Sequence, residues 1–345
     1  SLQLWNHNVF PFLFARNALY CNYTSTIIQT PAKCKGFAGG CQNFVPGIRR
    51  EGNAMQDITR ELVLEKLPRR AADTNKGSYG TVAAFAGSVS YRGAPVLAAE
   101  GALRCGAGLV FLATVPEAMQ LALARSPECC VLPCRAGGDG CLLPEDVQAA
   151  AGRFAPGKAV LLAGPGLGPG AGAVLRVLLG GAFVWRGCVL DADGLNALAG
   201  GSAGDLSLPE QTILTPHPGE MARLTGLTVA QVQADRPGIA ARYASQHHCV
   251  LVLKGSGTIV AAPDGRLWKN TTGNPGLSRG GSGDILAGMI AALLAQGLSP
   301  ADAACCGVWL HGAAADRCAA RKSQLAMLPH DIFEDLGALL AEAGR

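Results

Sequence analysis

A glycine-rich segment leading into an apolar run carries the clearest chemical pattern of the sequence. Residues Arg279–Asp284 read RGGSGD and stand directly before the apolar run that begins at Ile285. The first turn of a helix has backbone N–H groups without partners, and glycines let a phosphate approach them. Asp284 would then stand where a phosphate meets an acceptor hydroxyl, as phosphoryl transfer to an alcohol requires. The alternative is that Asp284 only caps the helix after a flexible turn.

A second loop of small residues follows the apolar run Cys249–Leu253. Lys254–Thr258 reads KGSGT, which leaves room for a nucleotide and lets backbone N–H groups point at phosphate, while Lys254 adds a point charge. An ordinary turn with a solvated lysine is the alternative. The segment is not a Walker A loop, because the pattern G-x-x-x-x-G-K-[ST] is absent.

Two further loops place polar groups after apolar runs. Asp191–Asn196 carries two carboxylates and an amide, which would orient Mg²⁺ through water or form an Asx-type turn and helix cap. In Thr215–Glu220, His217 lies between two prolines, which hold it with little conformational entropy to lose and suit a substrate contact. A lone histidine is more often structural, and we expect Glu220 to cap a helix.

The elements that must position these loops form a repeating pattern. Short runs that are apolar throughout end in Gly- or Pro-rich loops, and helical segments often follow, which indicates a mainly parallel sheet covered on both faces. Ligands of such sheets bind at the carboxyl ends of the strands. A hairpin with an Asp-Gly turn is expected over residues 258–268. The predicted strands are Thr81–Ala86, Ala159–Ala163, Cys188–Leu190, Thr212–Thr215 and Cys249–Leu253.

Composition narrows the class of protein. The 345 residues are 49% hydrophobic and 16% charged, so the chain can bury a large core. A net charge of +4, without a Lys/Arg run longer than two, argues against nucleic-acid binding, and no apolar stretch has the length of a membrane span. The 13 cysteines indicate thiols in a reducing cytoplasm rather than a metal site. Their one local cluster is Cys129, Cys130, Cys134 and Cys141.

The first 54 residues differ from the rest of the chain in composition and in hydrophobic patterning. Residues 1–54 are rich in aromatics and show no persistent helical or strand period. We expect a poorly ordered, non-catalytic extension there, too short and unpatterned for an epimerase domain, with Met55 as the natural start. Residues 55–345 would form one catalytic domain, and Met55–Leu62 is predicted to begin an amphipathic helix.

Together and in this order, the motifs resemble the ADP- or ATP-dependent NAD(P)H-hydrate dehydratases, from about Met55 to about Asp316. A Gly-Gly-Ser-Gly-Asp segment occurs across ribokinase-like kinases, whereas its combination with Asp191–Asn196 and Thr215–Glu220 is much more specific. The resemblance implies a ribokinase-like three-layer αβα fold with a central, mostly parallel sheet. It also covers Lys76–Gly80, Gly93–Ala94, Gly164–Gly168 and Thr272–Gly276.

The resemblance further implies the repair of (6S)-NADHX and NADPHX, hydrated and redox-inactive forms of NADH and NADPH. The products would be NAD(P)H, phosphate and AMP or ADP, with Asp284 as the catalytic residue. The implied hydrate contacts are Ala94, His217, Asp284 and one of Gly166 or Gly168. The implied nucleotide contacts are Lys254, Gly255, Ser256, Gly257, Thr258, Gly281, Ser282 and Gly283.

Cofactors and partners follow from the same resemblance. It implies Mg²⁺, whose ligands the sequence does not identify, and a homo-oligomer, a tetramer. ADP is favoured over ATP because Thr215–Glu220 has the form of the bacterial branch, and a separate NAD(P)H-hydrate epimerase would convert the other epimer. Two alternatives remain: a ribokinase-like kinase of hydroxymethylpyrimidine or hydroxyethylthiazole type, and a nucleotide sensor without catalysis. Thr215–Glu220 with Asp191–Asn196 favours the dehydratase over the kinase, and Asp284 argues against the sensor.

Overall fold

The computed structural model describes residues 54–345 except 205 and 207, so the predicted extension lies outside the described residues apart from Ala54. Within these residues, ten strands form one sheet in the order β1-β10-β9-β8-β7-β6-β5-β2-β3-β4. Within the described range, β9 is the strand that runs antiparallel to its neighbours β8 and β10, and the other pairings are parallel. The strands are β1 (Gln56–Ile58), β2 (Thr81–Phe85), β3 (Leu109–Thr114), β4 (Cys130–Pro133), β5 (Ala159–Ala163), β6 (Gly187–Leu190), β7 (Thr212–Leu214), β8 (Val250–Leu253), β9 (Ile259–Ala261) and β10 (Leu267–Asn270).

Helices cover both faces of the sheet. Side chains alternate along the strands, so Val82 and Ala84 of β2 face one core while Ala83 and Phe85 face the other. The helices are α1 (Arg60–Lys66), α2 (Gly93–Arg104), α3 (Pro116–Arg125), α4 (Pro144–Ala151), α5 (Ala171–Leu179), α6 (Asp193–Ala199), α7 (Pro218–Thr225), α8 (Val229–Ala234), α9 (Arg236–Gln246), α10 (Ser282–Ala295), α11 (Pro300–Lys322) and α12 (Ile332–Glu342). Helices α1, α2, α10, α11 and α12 pack in the first core, and α4 to α9 in the second. The three-layer αβα fold and the mostly parallel sheet are as predicted.

Two glycines let α10 and α2 pack closely. A Cβ on Gly288 would lie 2.0 Å from the carbonyl oxygen of Ala98, and a Cβ on Gly101 would lie 2.6 Å from that of Ile285. Larger residues at these points would push the helices apart. The close packing therefore fixes where the first turn of α10, which begins at Ser282, lies relative to the sheet.

The predicted helix start at Met55–Leu62 is partly wrong. Gln56–Ile58 form strand β1, which pairs with β10 at the edge of the sheet. Helix α1 begins only at Arg60, where the Thr59 hydroxyl accepts a hydrogen bond from the Leu62 N–H. The predicted hairpin is confirmed as the antiparallel pair of β9 and β10. Among the described residues, no helix combines the length and apolar character needed to cross a bilayer.

Candidate functional site

A cavity of about 880 Å³ opens at the carboxyl ends of β6, β7 and β8. The loops after these strands line it together with the segment that joins β10 to α10 and one face of α11. Its charged and titratable lining residues include Asp191, His217, Glu220, Lys254, Asp284 and His311. The predicted nucleotide contacts Lys254 to Thr258 and Gly281 to Gly283 all line this cavity, as do His217 and Asp284.

An ion pair joins two of these loops. Nζ of Lys254 lies 2.6 Å from Oδ1 of Asp191, which also accepts a hydrogen bond of 2.8 Å from the Thr215 hydroxyl. Glu220 Oε2 lies 3.9 Å from the same Nζ. Burial acts to lower the pKa of Lys254, but the carboxylates of Asp191 and Glu220 outweigh it, so the pKa lies above its usual value. Lys254 is therefore a fixed positive charge at neutral pH.

The first turn of α10 lies against this ion pair. A Cβ on Gly283 would stand 3.2 Å from Nζ of Lys254 and 3.6 Å from Oδ2 of Asp191. Gly281 precedes the helix with a φ of 98°, a left-handed conformation that favours glycine. N–H groups of a first helical turn have no intrahelical partner, and the helix dipole adds positive charge there. Together with Lys254, the N–H groups of this turn form a site that can bind an anion.

Asp284 lies in that turn with a strongly shifted pKa. Burial, and next the charge of Asp191, raises the pKa of its carboxyl group to about 7, against the opposing effect of Lys254. A carboxylate with such a pKa is a better base than an ordinary aspartate and still half ionised at neutral pH. Asp284 therefore combines a place at the anion-binding turn with the proton affinity of a general base.

His217 and Glu220 form a reciprocal cap at the start of α7. Nδ1 of His217 accepts a hydrogen bond of 2.9 Å from the Gly219 N–H, and Glu220 Oε2 accepts one of 2.8 Å from the His217 N–H. Burial, and next the charge of Lys254, lowers the pKa of His217. The imidazole is thus neutral at pH 7 with its proton on Nε2. The capping role expected of Glu220 is confirmed, and the substrate contact of His217 stays a prediction.

The sequence analysis did not identify two residues whose side chains hold the walls of the cavity in place. The guanidinium of Arg236 donates hydrogen bonds to the carbonyl oxygens of Leu253 at 2.9 Å, Lys254 at 3.2 Å and Ser256 at 2.6 Å. On the other wall, the Asp316 carboxylate accepts hydrogen bonds from the Gly273 N–H and the Asn274 side chain. A single arginine or aspartate on a helix gives no local signal of such contacts, because the partners come together only in the folded chain.

Asp191 and Asp193 face different cavities. Asp193 lies beside a smaller cavity of about 270 Å³, where its Oδ2 accepts a hydrogen bond of 2.8 Å from the Gly168 N–H. Between them, Ala192 has a φ of 48° and a ψ of −118°, a strained conformation for a residue with a Cβ. This turn directs the carboxylates of Asp191 and Asp193 to different cavities, although the sequence analysis treated them as one group.

The remaining predicted hydrate contacts lie outside the larger cavity. Gly168 lines the smaller one together with Tyr91, and a Cβ on Gly166 would lie 3.1 Å from the Cβ of Ala94. Among its described lining residues, the larger cavity includes neither Ala94, Gly166 nor Gly168. The loop after β5, which carries Gly166 and Gly168, nevertheless contacts the loop after β6, which lines the larger cavity. A Cβ on Gly164 would lie 1.8 Å from the Asp191 carbonyl oxygen.

Lys76–Gly80 lies far from both cavities. It precedes β2 and so lies at the amino end of that strand, where a Cβ on Gly80 would stand 2.0 Å from the carbonyl oxygen of Ala295. Ala295 ends α10, a helix of 14 residues and therefore about 21 Å long, whose first turn lines the larger cavity. Lys76–Gly80 packs against the opposite end of α10 from the site.

Within the described part of the chain, no group of three or more His, Cys, Asp or Glu side chains forms a dedicated metal site. The carboxylates of Asp191, Glu220 and Asp284 nevertheless act on one another, since the first two raise the pKa of the third. A divalent cation that arrives with phosphate oxygens and water as most of its ligands suits this donor set. Asp191 and Glu220 are the residues that would hold it.

The chain is similar in sequence to known proteins. A family model described as NAD(P)H-hydrate dehydratase matches residues 82–337. The bifunctional NAD(P)H-hydrate repair enzyme Nnr of Moorella thermoacetica is 42% identical over 302 residues, which cover 85% of this chain and 56% of that protein. The ADP-dependent (S)-NAD(P)H-hydrate dehydratase of Neisseria meningitidis is 41% identical over 254 residues, or 72% of this chain and 80% of the relative.

A solved structure agrees with the sequence comparisons. The ADP/ATP-dependent NAD(P)H-hydrate dehydratase of Bacillus subtilis, co-crystallised with ATP and Mg²⁺, superimposes with a TM-score of 0.72 and 33% identity, covering 84% of this chain and 99% of that one. The chain spans about half the length of several bifunctional relatives, between 49% and 56% of each. The fold, the RGGSGD turn, the sequence matches and the structural match agree. This chain belongs to the NAD(P)H-hydrate dehydratase family.

Proposed function

We propose that the protein dehydrates (6S)-NADHX and NADPHX to NADH and NADPH at the expense of an adenine nucleotide. The observation that carries the proposal is the position of Asp284. It lies at the anion-binding first turn of α10, beside the Lys254–Asp191 pair, with a pKa raised to about 7 by burial and by Asp191. A base at neutral pH next to a phosphate position is what transfer of a phosphoryl group to a hydroxyl needs.

The reaction follows from these groups. Hydroxide leaves poorly from C6 of the hydrated nicotinamide ring, so the hydroxyl is first converted into a better leaving group. Asp284 accepts the C6 hydroxyl proton while that oxygen attacks the terminal phosphoryl group of the nucleotide. The N–H groups of Gly281, Ser282 and Gly283 stabilise the charge on the transferring phosphoryl group. The ring nitrogen lone pair then drives cleavage of the C6–O bond, phosphate leaves with the bonding electrons, and loss of a proton from C5 restores the C5–C6 double bond of the dihydronicotinamide.

The two cavities support separate places for the two ligands. The nucleotide occupies the larger cavity between Lys254–Thr258 and the loop before α10. The reacting ring of the hydrate lies between His217 and Asp284, whose groups face the same cavity. The rest of the hydrate extends over Ala94 and Gly166 toward Gly168, beside the smaller cavity. His217, neutral with a proton on Nε2, donates a hydrogen bond to the hydrate.

ADP is the proposed phosphoryl donor, with ATP as a second substrate. The name of the Neisseria relative specifies ADP, and that of the Bacillus structure both ADP and ATP. Mg²⁺, when bound, would supply positive charge for the phosphates of the nucleotide, and Asp191 and Glu220 are the residues that would hold it. Lys254 supplies the fixed positive charge for the same phosphates.

We also propose a functional partner, an oligomeric state, a domain organisation and a cellular compartment for the protein. Bifunctional repair relatives support a functional link to an NAD(P)H-hydrate epimerase, which would supply the reactive epimer. We propose a homotetramer, and a catalytic domain over residues 55–345 with residues 1–54 as a non-catalytic extension. Among the described residues ten cysteines carry free thiols, which supports a reducing compartment such as the cytoplasm.

The proposal is tested with purified protein, Mg²⁺ and chemically prepared NADHX. Near-ultraviolet absorbance of the dihydronicotinamide is followed in two cuvettes, one with ADP and one with ATP, against a cuvette without nucleotide. A nucleotide-dependent rise is expected, faster with ADP. Folded protein that binds AMP but gives no rise with either nucleotide would favour the vitamin-precursor kinase or the sensor instead.

A further inference from the structure

A second lysine lines the larger cavity in addition to Lys254. Lys269 lies near the carboxyl end of β10, where it belongs to the cavity lining. The flanking residues Trp268 and Asn270 are buried. Because side chains alternate along a strand, Lys269 points to the opposite face, and it is exposed there. The proposed function leaves this lysine without a role.

The side chain of Lys269 lies along the loop between β8 and β9. A Cβ on Gly257 would stand 3.1 Å from Cε of Lys269 and 3.9 Å from its Cγ. The N–H of Asn270 donates a hydrogen bond of 2.8 Å to the Thr258 carbonyl oxygen, which holds β10 against this loop. The ammonium group is one bond beyond Cε. It therefore lies beside Lys254–Thr258, the loop whose residues all line the cavity.

Among the lysines and arginines that line the cavity, Lys269 is the one without a partner in the described part of the chain. Lys254 is paired with Asp191 at 2.6 Å. The guanidinium of Arg279 donates a hydrogen bond to the carbonyl oxygen of Leu325. Lys269 takes part in no hydrogen bond or ion pair with another described residue. Its positive charge is therefore available to an anion in the cavity.

The position of Lys269 relative to α10 indicates which anion it meets. The terminal phosphoryl group is proposed to lie at the first turn of α10, where a Cβ on Gly283 would stand 3.2 Å from Nζ of Lys254. From Lys254 the loop reaches Gly257 in three residues, a span of at most about 11 Å. A nucleotide that lies along this loop brings its next phosphate toward Gly257. Lys254 is also paired with Asp191, so it balances only part of the phosphate charge.

We propose that the Lys269 ammonium group binds the phosphate that stays with the adenosine, which is the α-phosphate of ADP. Adenine and ribose carry no charge, so the phosphates are the groups of a nucleotide that a lysine selects. This phosphate belongs to the leaving group, which gains negative charge as the terminal phosphoryl group is transferred. Lys269 thus stabilises both the bound nucleotide and the departing AMP. The inference rests on the nucleotide dependence of the proposed function.

Calorimetric titration at low and at high salt tests this contact. The ligands are ADP, AMP and adenosine. Lys269→Met and Lys269→Gln remove the positive charge, and Lys269→Arg retains it. Lys158→Met is the matched control, because Lys158 is exposed and directly precedes β5 at the amino end of the sheet, opposite the cavity.

Lys269→Met and Lys269→Gln are expected to bind ADP and AMP about fivefold more weakly than the wild type at low salt, and adenosine as well as the wild type does. The loss should shrink at high salt, because ions screen an exposed charge. Lys269→Arg and the control should bind all three ligands with nearly wild-type affinity. A lysine that only packs on Gly257 would not separate AMP from adenosine.

Three results would overturn the contact: unchanged AMP affinity in the variants without the charge, an equal weakening of adenosine binding, or a loss confined to ADP. Two different substitutions remove the charge, so one that fails to fold leaves the other to decide. Hydrate turnover is measured separately on the wild type. The expected affinity losses without turnover would refute the dehydratase activity alone, and turnover with unchanged affinities would refute this inference alone. A wild type that binds no nucleotide would refute both.

Discussion

Lys254 and Asp191 are 63 positions apart in the chain, yet Nζ of the first lies 2.6 Å from Oδ1 of the second. The pair joins the loop after β8 to the loop after β6 across the end of β7. Gly283 packs directly against it, because a Cβ there would stand 3.2 Å from the Lys254 Nζ. The pair thus holds the first turn of α10, and with it Asp284, against the carboxyl edge of the sheet.

Removal of the lysine charge should destabilise the protein. Asp191 is buried, with a side-chain exposure of 2%, so Lys254→Met leaves a buried carboxylate without its cation. The expected loss in the free energy of unfolding is about 3 kcal/mol, with loss of nucleotide affinity. Lys66→Met is the matched control, because Lys66 and its partner Glu65 are exposed. Denaturant unfolding of both variants checks this, and equal stability of the two would contradict it.

Asp284→Asn should reduce turnover by about 10²–10⁴-fold and spare nucleotide binding, because it removes the general base but little volume. In the wild type, kcat should rise with pH through about 7, as the raised pKa of Asp284 dictates. Steady-state kinetics across pH measures both effects. Normal turnover by the variant would remove Asp284 from the mechanism.

The same carboxyl group links stability to pH. Its pKa rises from 3.8 to about 7 on folding, chiefly through burial. The folded protein therefore retains a proton that the unfolded chain releases, and stability falls as pH rises through that window. Asp284→Asn should have the wild-type Tm below about pH 4 and a higher Tm above about pH 7. A Tm difference independent of pH would contradict the shifted pKa.

Gly281 should tolerate no side chain, in contrast to its neighbour Gly280. Alanine at 281 would adopt a φ of 98° and place its Cβ 2.5 Å from Cδ1 of Leu97. We expect Gly281→Ala to cost about 1–3 kcal/mol of stability and to displace the first turn of α10. At Gly280, an added Cβ meets no atom within 4 Å. Thermal unfolding compares the two variants, and a Gly280→Ala variant as unstable as Gly281→Ala would refute the explanation.

Ala192 should be a site where glycine stabilises. Its φ of 48° and ψ of −118° strain a residue with a Cβ, and Ala192→Gly removes that strain. The expected gain is about 1 kcal/mol, despite the greater entropy of glycine in the unfolded chain. Ala149→Gly, at an exposed position in α4, should instead lose about 1 kcal/mol. Chemical denaturation gives both values, and a loss at position 192 would show that its backbone is unstrained.

The sequence predicted those parts of the molecule that depend on local patterns. The apolar runs became strands because both faces of the sheet are covered, Ala159–Ala163 with the predicted bounds and the others with one end shifted by a single residue. The turn before α10 was predictable from its glycines. Gln56–Ile58 was not, since a strand of three residues gains its stability from pairing with β10, more than 200 positions away.

The candidate site was predictable where loops follow strands, and less so where helices close it. Arg236 and Asp316 give no local signal, because each forms hydrogen bonds to a backbone segment that only the folded chain brings near. The separation of Asp191 from Asp193 depends on the positive φ of Ala192, a backbone conformation that an alanine in the sequence does not predict. Spacing alone therefore grouped two carboxylates that face different cavities.

The central claim is that phosphoryl transfer and restoration of the dihydronicotinamide are one reaction at Asp284. Its most direct test is to measure the dihydronicotinamide formed and the phosphate released in the same tube, with purified protein, NADHX, ADP and Mg²⁺. The account predicts equal amounts of both throughout the reaction, and formation of both slowed by about 10²–10⁴-fold in Asp284→Asn. Phosphate release without dihydronicotinamide, or a stable phosphorylated product that accumulates, would contradict it.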